Sequence, residues 1–515
     1  MNYADLLRVS LPETALEIAA LLVIVIDLVF LRRSNDARRV ASAAIVGVLG
    51  CLSALALLLI NGPMELRAGT DLLLSGGGIT FVAQSAILAL TALTLLLFVC
   101  GRFTPHPAEY VAVVLMAAIG ALVLAAGEDL LIIFVGLELL SLALYVLTGF
   151  AKRSGRSAEA ALKYYLFGGM AAAFLLFGFS YLYGLTGSTN LGQIYQILSQ
   201  SPAGQMPLYV AALVAIAAGL GFKIAIVPFH LWAPDTYEGA PAQGAAFIAS
   251  VSKVATFALL LNVIAVRVAG MQIHLQLNSH LRLAHETMAG EGFITLPAFV
   301  LIAALATVSM VVGNLAALVQ TSVRRLLAYS AIAHAGYMLL GILAGLGSET
   351  ASRRAAEGLL TYVITYGLTT IAAFGVVAVI ERNTGSDQLD AFIGLHRRSP
   401  ILAAVLLVSF LSLAGIPPLV GFWAKFDLFA AVLGAQAGVV PFALVALAVA
   451  MSAVSLYYYL QVLKRVYVME PVDDTPLKSH PVTRTVLLLA AILIVLLGAV
   501  PGPFFNWIAA SFGGF

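Results

Sequence analysis

The sequence predicts an all-α, polytopic membrane protein of about fourteen transmembrane helices, with two inverted five-helix repeats that each contain a broken helix. Three observations predict it. The 515-residue chain is 62% hydrophobic and only 10% charged, with a mean hydropathy of +1.02, whereas soluble domains carry about 25% charged residues. Its apolar runs reach the roughly 20 residues that a helix needs to cross the hydrocarbon. Helix breakers recur at two places along those runs, each beside a lysine. Lipid does not tolerate unpaired backbone, so the spans must be helices.

Apolar runs between polar breaks place the spans at 13–31, 40–60, 79–100, 108–126, 129–149, 161–185, 208–229, 240–268, 295–319, 325–346, 357–380, 401–428, 435–466 and 486–508. Connections after odd-numbered spans hold eighteen of the 27 basic residues, including Arg32, Arg33, Lys152, Arg153, Arg397 and Arg398. The opposite side holds six, and three lysines lie within spans. Basic residues mark the cytoplasmic side, so both termini are expected outside. The first run ends at Arg32-Arg33 without a small-residue cleavage site and carries Glu13, Glu17 and Asp27, which fits a retained first helix rather than a signal peptide.

Two spans are interrupted. In the seventh, Gly219-Leu-Gly221-Phe-Lys223 precedes Pro228; in the twelfth, Gly415-Ile-Pro417-Pro418 precedes Gly421 and Lys425. Proline removes an amide donor and clashes with the preceding turn, and the freed carbonyls are tolerated at membrane depth only beside protein or water. The interrupted spans lie five apart, an odd shift, so one copy is upside down relative to the other. Matching broken helices in corresponding halves point to an inverted-repeat transporter with sites at the midplane. The expected division is residues 1–107 for the first three helices, 108–268 and 295–466 for the repeats, and 467–515 for the final loop and helix.

Four charges stand alone in apolar runs. Lys223 is the only charge between Pro207 and Pro228, Lys253 the only one between Ala240 and Val266, and Glu138 the only one between Leu130 and Ala151; Lys425 follows an uncharged stretch from Pro400. Ionisable groups at this depth are rare and mark ion or proton paths by default. Blander readings stand beside this one. Lys163 and Lys425 lie near span ends, where long side chains snorkel to the surface. Glu138 is readable as a structural partner, and His230 as hydrogen-bonded packing in a re-entrant turn as well as a proton relay. His334 lies one turn from Tyr337 and favours a relay. Asp27 reads as an interfacial charge or subunit contact.

Other chemistry is disfavoured. A net charge of +2 gives no reason for a nucleic-acid partner, and Cys51 and Cys100 form neither a metal pattern nor a framework for a disulfide. Gly76-Gly-Gly78 lacks the strand–turn–helix setting of a dinucleotide site. No cofactor is expected in this chain.

Three strings are more specific. Gly221-Phe-Lys-Ile-Ala-Ile-Val-Pro-Phe-His-Leu-Trp-Ala-Pro-Asp-Thr-Tyr-Glu-Gly-Ala-Pro241, Arg324-Arg-Leu-Leu-Ala-Tyr-Ser-Ala-Ile-Ala-His-Ala-Gly-Tyr-Met338 and Leu411-Ser-Leu-Ala-Gly-Ile-Pro-Pro-Leu-Val-Gly-Phe-Trp-Ala-Lys-Phe426 closely resemble signatures of the antiporter-like, proton-pumping membrane subunits of respiratory complex I. The likeness covers essentially the whole chain. It is nearest the subunit-N type of the bacterial NADH:quinone oxidoreductase: the chain stops after span fourteen, without the lateral helix of subunit L, and position 425 is a lysine rather than the glutamate of subunit M. The same family includes subunits of Mrp-type cation/proton antiporters and membrane-bound hydrogenases.

The resemblance implies a proton path through Glu138, Lys223, Lys253 and Lys425, with Lys163, His230 and His334 as secondary members. It implies other membrane subunits of complex I as partners, among them homologous antiporter-like ones. NADH, FMN, iron–sulfur clusters and quinone are expected in partner subunits. In this reading Glu138 and Lys223 form a switch: burial disfavours the charged ammonium and a nearby carboxylate favours it. Lys253 passes the proton laterally and Lys425 is the exit-side donor. A cation/proton antiporter subunit is the competing function, and an inactive membrane spacer the third.

Overall fold

The computed structural model describes residues 8–62, 66–68, 71–99, 103–200, 205–279, 284–347, 349–435, 438–471 and 475–512, and the side chains of 66–68, 71, 72, 264–295 and 349 lie outside that description. Cys100 and Arg102 fall outside the described residues. The chain is helical nearly throughout. Its helices are α1 (Leu11–Ile26, continued by a π-turn over Asp27–Leu31), α2 (Asp36–Asn61), α3 (Gly78–Phe98), α4 (Pro107–Ala126), α5 (Leu130–Thr148), α6 (Gly155–Thr186) and the short α7 (Leu191–Ser199). Then come α8 (Met206–Ile224), α9 (Trp232–Gly239), α10 (Ala242–Ser279), α11 (Ala284–Leu318), α12 (Val323–Gly345), α13 (Glu349–Thr384) and the single turn α14 (Leu395–Arg398). The last are α15 (Pro400–Ala414), α16 (Val420–Ala435), α17 (Val439–Tyr467), α18 (Pro481–Ala499) and α19 (Gly502–Ser511). One small antiparallel hairpin, β1 (Leu66–Ala68) with β2 (Asp71–Leu74), joins α2 to α3.

Thirteen of these helices are long and apolar enough to cross a membrane. The twelfth expected span accounts for the rest: it is two pieces, α15 and α16, each too short alone. The fourteen spans are thus recovered, with three shifts. The twelfth runs on to Ala435 rather than stopping near 428, because the glycine break falls only at Gly438. The fourteenth is α18 rather than 486–508; Pro501 ends it, and α19 starts anew. Several helices also begin earlier than their apolar runs, because polar caps lie upstream. Asn35 accepts from the Arg38 amide at 2.9 Å, Ser154 from Ser157 at 3.3 Å and Ser322 from Arg325 at 3.2 Å, each satisfying a donor that a helix start leaves open.

The packing pattern repeats with the five-span shift. Helices α4 and α5 pack together, as do α11 and α12; α6 packs on α8 as α13 packs on α15 and α16; α4 meets α10 as α11 meets α17. Reciprocal glycines allow the first pair in each set to approach closely. A Cβ at Gly120 would lie 2.5 Å from the Leu140 amide nitrogen, and one at Gly313 would lie 2.6 Å from that of Ala333. Small residues at such crossings let backbones touch where lipid gives no hydrophobic drive. The two sets meet where α10 packs along α13, and α10, α12 and α13 are buried almost throughout their spans.

Asp27, near the end of the first span, is buried in the π-turn and paired with Arg39 of α2 at 2.8 and 2.5 Å, so it ties the first two spans together.

Candidate proton-transfer site

The seventh span breaks after Ile224. Ala225 turns left-handed at φ 60°, and the Ile226 amide reaches back to the Gly221 carbonyl at 3.0 Å, the helix-ending pattern usually left to glycine. The loosened backbone has partners: the Trp232 indole donates to the Phe222 carbonyl at 2.9 Å, and the Val227 amide donates to Ser309 Oγ on α11 at 3.0 Å. Tyr164 stacks on Trp232 at 4.2 Å and holds the indole in place.

Lys223 sits in the last turn before this break and is 2% exposed. Its Nζ donates to Ser141 Oγ on α5 at 2.9 Å. Glu138 is one turn from Ser141 on the same helix and half-buried, and its Oε1 has no hydrogen-bond partner. Among the described residues no ion pair joins Glu138 to Lys223, although the charges are near enough to act on each other. Ser141 therefore holds the ammonium that the sequence assigns to the carboxylate. It had a signal, a polar residue three positions from a lone acid in an apolar helix.

Lys253 lies on α10, 1% exposed. Its Nζ donates to the Ala331 carbonyl of α12 and stands 5.2 Å from the centroid of the Tyr366 ring. One turn beyond Ala331, His334 binds the Tyr362 hydroxyl through Nδ1 at 2.8 Å and packs on Tyr366 and Tyr337 with ring centroids 4.9 and 5.6 Å away. Its Nε2 is buried without a hydrogen bond. Beyond it stands Lys425 on α16, whose Nζ lies 5.2 Å from the Tyr337 centroid. That ammonium donates to Ser452 Oγ at 2.6 Å and to the Ala414 carbonyl at 3.1 Å. A cavity of about 10 Å³, lined by His334, Tyr362, Tyr366, Ser412 and Lys425 among others, opens between them. That is close to the space for one water.

The structure thus lines up Lys253, Tyr366, His334 and Lys425. His334 lies between the two lysines. The tyrosines carry a periodic signal: Tyr362, Thr365, Tyr366 and Thr369 share one face of α13. His230 lies on the turn after the first break, half-buried, with a buried Nδ1 that makes no hydrogen bond. Lys163 stands apart from the line. Its Nζ binds Asp235 at 2.7 Å and Glu159 at 2.8 Å, in a cluster that Arg325 extends to Asp235 and Glu238 at 2.7 and 2.9 Å. Partial burial works against the Asp235 charge, but the bonds from Lys163 and Arg325 outweigh it, so its carboxyl titrates below the usual aspartate value.

Fold and site together define a multi-pass membrane protein of two broken-helix halves with buried amines at its centre. The family model described as "NADH:quinone oxidoreductase/Mrp antiporter, TM" matches residues 127–280 and 286–452, and the chain belongs to that family. It is 48% identical to NADH-quinone oxidoreductase subunit N 2 of Acidobacterium capsulatum, over 99% of each chain. A chain in the structure of respiratory complex I from Thermus thermophilus with bound aureothin superposes with a TM-score of 0.75 at 35% identity, covering 97% of this chain and 99% of that one. A chain of the Mrp complex from Dietzia sp. matches with a TM-score of 0.75 but 18% identity, covering 98% of this chain and 97% of that one, a likeness of fold.

Proposed function

We infer that this chain is the N-type membrane subunit of a respiratory NADH:quinone oxidoreductase, a translocase in which electron transfer from NADH to quinone drives proton pumping. The fold alone does not separate this from a cation/proton antiporter, since both solved relatives superpose equally well. Sequence does: 35% identity with the complex I chain stands against 18% with the Mrp chain.

The observation that carries proton transfer is the line Lys253–Tyr366–His334–Lys425, four groups from four helices in the buried interior. An amine passes a proton only if neighbours shift its affinity. Each pKa unit corresponds to about 1.4 kcal/mol, and moving a charge across the membrane potential costs about 2.3 kcal/mol per 100 mV. Shifts of two or three units at a buried group are therefore large enough to drive a proton uphill. Lys223 is the input-side switch, set by Glu138 acting across Ser141. Lys253 receives the proton, His334 relays it, and Lys425 releases it. His230, with its unbonded Nδ1 beside the first break, is a secondary member of the path. Lys163, paired with two acids at the surface, organises the basic-rich face rather than the central line.

The repeats are residues 108–268 and 295–466, preceded by 1–107 and followed by 467–515. The basic-rich face is cytoplasmic, and both termini are periplasmic in a bacterial inner membrane. NADH, FMN, iron–sulfur clusters and quinone belong to partner subunits, and homologous antiporter-like subunits flank this chain. Replacing Lys223 by alanine in the assembled complex is expected to reduce proton pumping sharply; undiminished pumping removes Lys223 from the path. Sodium-dependent turnover in vesicles would instead favour the antiporter.

A further inference from the structure

The basic-rich face holds a cavity that the proton path does not use. It measures about 320 Å³ and lies where the start of α2, the end of α13 and the segment before α18 converge. Its lining is divided. On one side stand Arg382, Lys478 and His480 with Ser479; on the other are Val40, Ala41 and Val99. No acid lines it among the described residues.

The cationic side is built rather than accidental. Asn383 accepts from the Lys478 amide through Oδ1 at 3.0 Å and donates to the Lys478 carbonyl at 3.0 Å. This fixes Lys478 beside Arg382, the residue preceding Asn383. The Nδ1 of His480 accepts from the Val482 amide at 3.3 Å, so a neutral ring carries its proton on Nε2, as a donor. The acids of the adjoining cavity have partners of their own: Glu381 binds Arg324 at 3.2 Å, Glu238 binds Arg325 at 2.9 Å, and Asp387 accepts from the Ser322 hydroxyl.

The apolar side continues into the membrane. Ala41 on α2 is followed at helical spacing by Ile45, Leu49 and Leu52, which are 56%, 58% and 50% exposed. A cationic pocket at the interface, opening onto an apolar stripe, matches an anionic headgroup joined to an acyl chain. Basic side chains at a membrane surface each add attraction for anionic lipid. We propose that this cavity binds the phosphate headgroup of an anionic phospholipid, with one acyl chain along the Ala41–Leu52 face of α2.

The test uses the assembled complex, purified in mild detergent, stripped of lipid and re-exposed to phosphatidylglycerol or phosphatidylcholine. Retained lipid is counted by mass spectrometry. The wild type is expected to hold one more phosphatidylglycerol than the double variant Arg382→Gln/Lys478→Gln, and to show no such preference for phosphatidylcholine. Affinity should fall about fivefold per cation removed, roughly 25-fold for both. Ala41→Trp, which blocks the acyl path and leaves every charge, is expected to release the lipid too. Equal retention by wild type and double variant, or equal retention of the two lipids, overturns the site. Full retention by Ala41→Trp, or full displacement by excess inorganic phosphate, overturns the lipid as its occupant.

Discussion

The two broken helices solve one problem in different ways. Both end in a left-handed residue, Ala225 at φ 60° and Gly415 at φ 84°, and in both the next amide reaches back five residues, Ile226 to Gly221 and Ile416 to Leu411 at 3.0 Å. At the first break, neighbours satisfy the backbone through Trp232 and Ser309, and Lys223 reaches away to Ser141. At the second, the lysine follows the break and folds back on it, donating to the Ala414 carbonyl. Lys223 is therefore separable from its helix end, while Lys425 is part of it. A proton leaving Lys425 weakens a bond that holds the break together, so charge and backbone are coupled there and not at Lys223.

The largest expected effect tests that contrast. Lys223→Met and Lys425→Met each remove one amine and keep an apolar stem of similar length. Both are expected to lower proton pumping in reconstituted vesicles by roughly tenfold or more, the equivalent of at least one pKa unit of lost poise. Only Lys425→Met should also lower thermal stability. It leaves the Ala414 carbonyl with a long contact from Ser452 at 3.4 Å, and an under-satisfied buried acceptor costs about 1–3 kcal/mol. In Lys223→Met the Ser141 hydroxyl still donates to the Leu137 carbonyl at 2.7 Å. Equal melting shifts for the two variants would erase the distinction.

Next in size is Gly415→Ala. An added Cβ would sit 3.0 Å from Lys425 Cδ and 3.4 Å from its Nζ, on a backbone at φ 84°. Strain of this kind costs about 1–3 kcal/mol. The variant is expected to unfold earlier and, because it pushes the ammonium off Ala414, to pump more slowly. Normal pumping in a destabilised protein would separate the break from the chemistry.

A smaller change sharpens the relay. Tyr362→Phe removes the 2.8 Å bond to His334 Nδ1 and leaves the ring. Pumping is expected to drop severalfold while stability changes by about 1 kcal/mol, the usual net value of one hydrogen bond. Ser141→Ala, the matching change at the first break, frees Lys223 to approach Glu138 and should cost less pumping than Tyr362→Phe. The reverse order would put the sensitive step at the first break.

Much of this was legible in the sequence, for a physical reason. Apolar length, prolines and isolated charges are local signals, and they placed the spans, both breaks and the buried lysines. Lys253 needed no partner to be noticed, because a charge in an apolar run is conspicuous by itself. Partner choice is a long-range property and was less visible. Nothing near Lys253 in sequence announces the Ala331 carbonyl, 78 positions away, and Lys223, read from the sequence beside Glu138, bonds to Ser141. Lys163 shows the same limit: its motif position implies a place on the path, yet Asp235, 72 positions on, draws it into a surface cluster. Tyr366 was hidden differently, since an aromatic in a membrane helix is ordinary until its face is seen to meet a lysine.

The smallest prediction concerns Ala225, and it has the opposite sign to that at Gly415. A left-handed alanine carries a steric cost that glycine lacks. No lysine packs against this turn as Lys425 packs against Gly415, and the Trp232 and Ser309 bonds that close the break do not involve the Ala225 side chain. Ala225→Gly is thus expected to relieve about 1–2 kcal/mol of left-handed strain against roughly 0.5–1 kcal/mol lost to a freer unfolded chain, a net gain in stability of about 0.5–1 kcal/mol. Pumping should stay near wild type, because Lys223 and Ser141 keep their geometry. If the glycine variant melts earlier than wild type, the buried Ala225 methyl contributes more packing than its conformation costs, and the two breaks are closer in design than their lysines make them look.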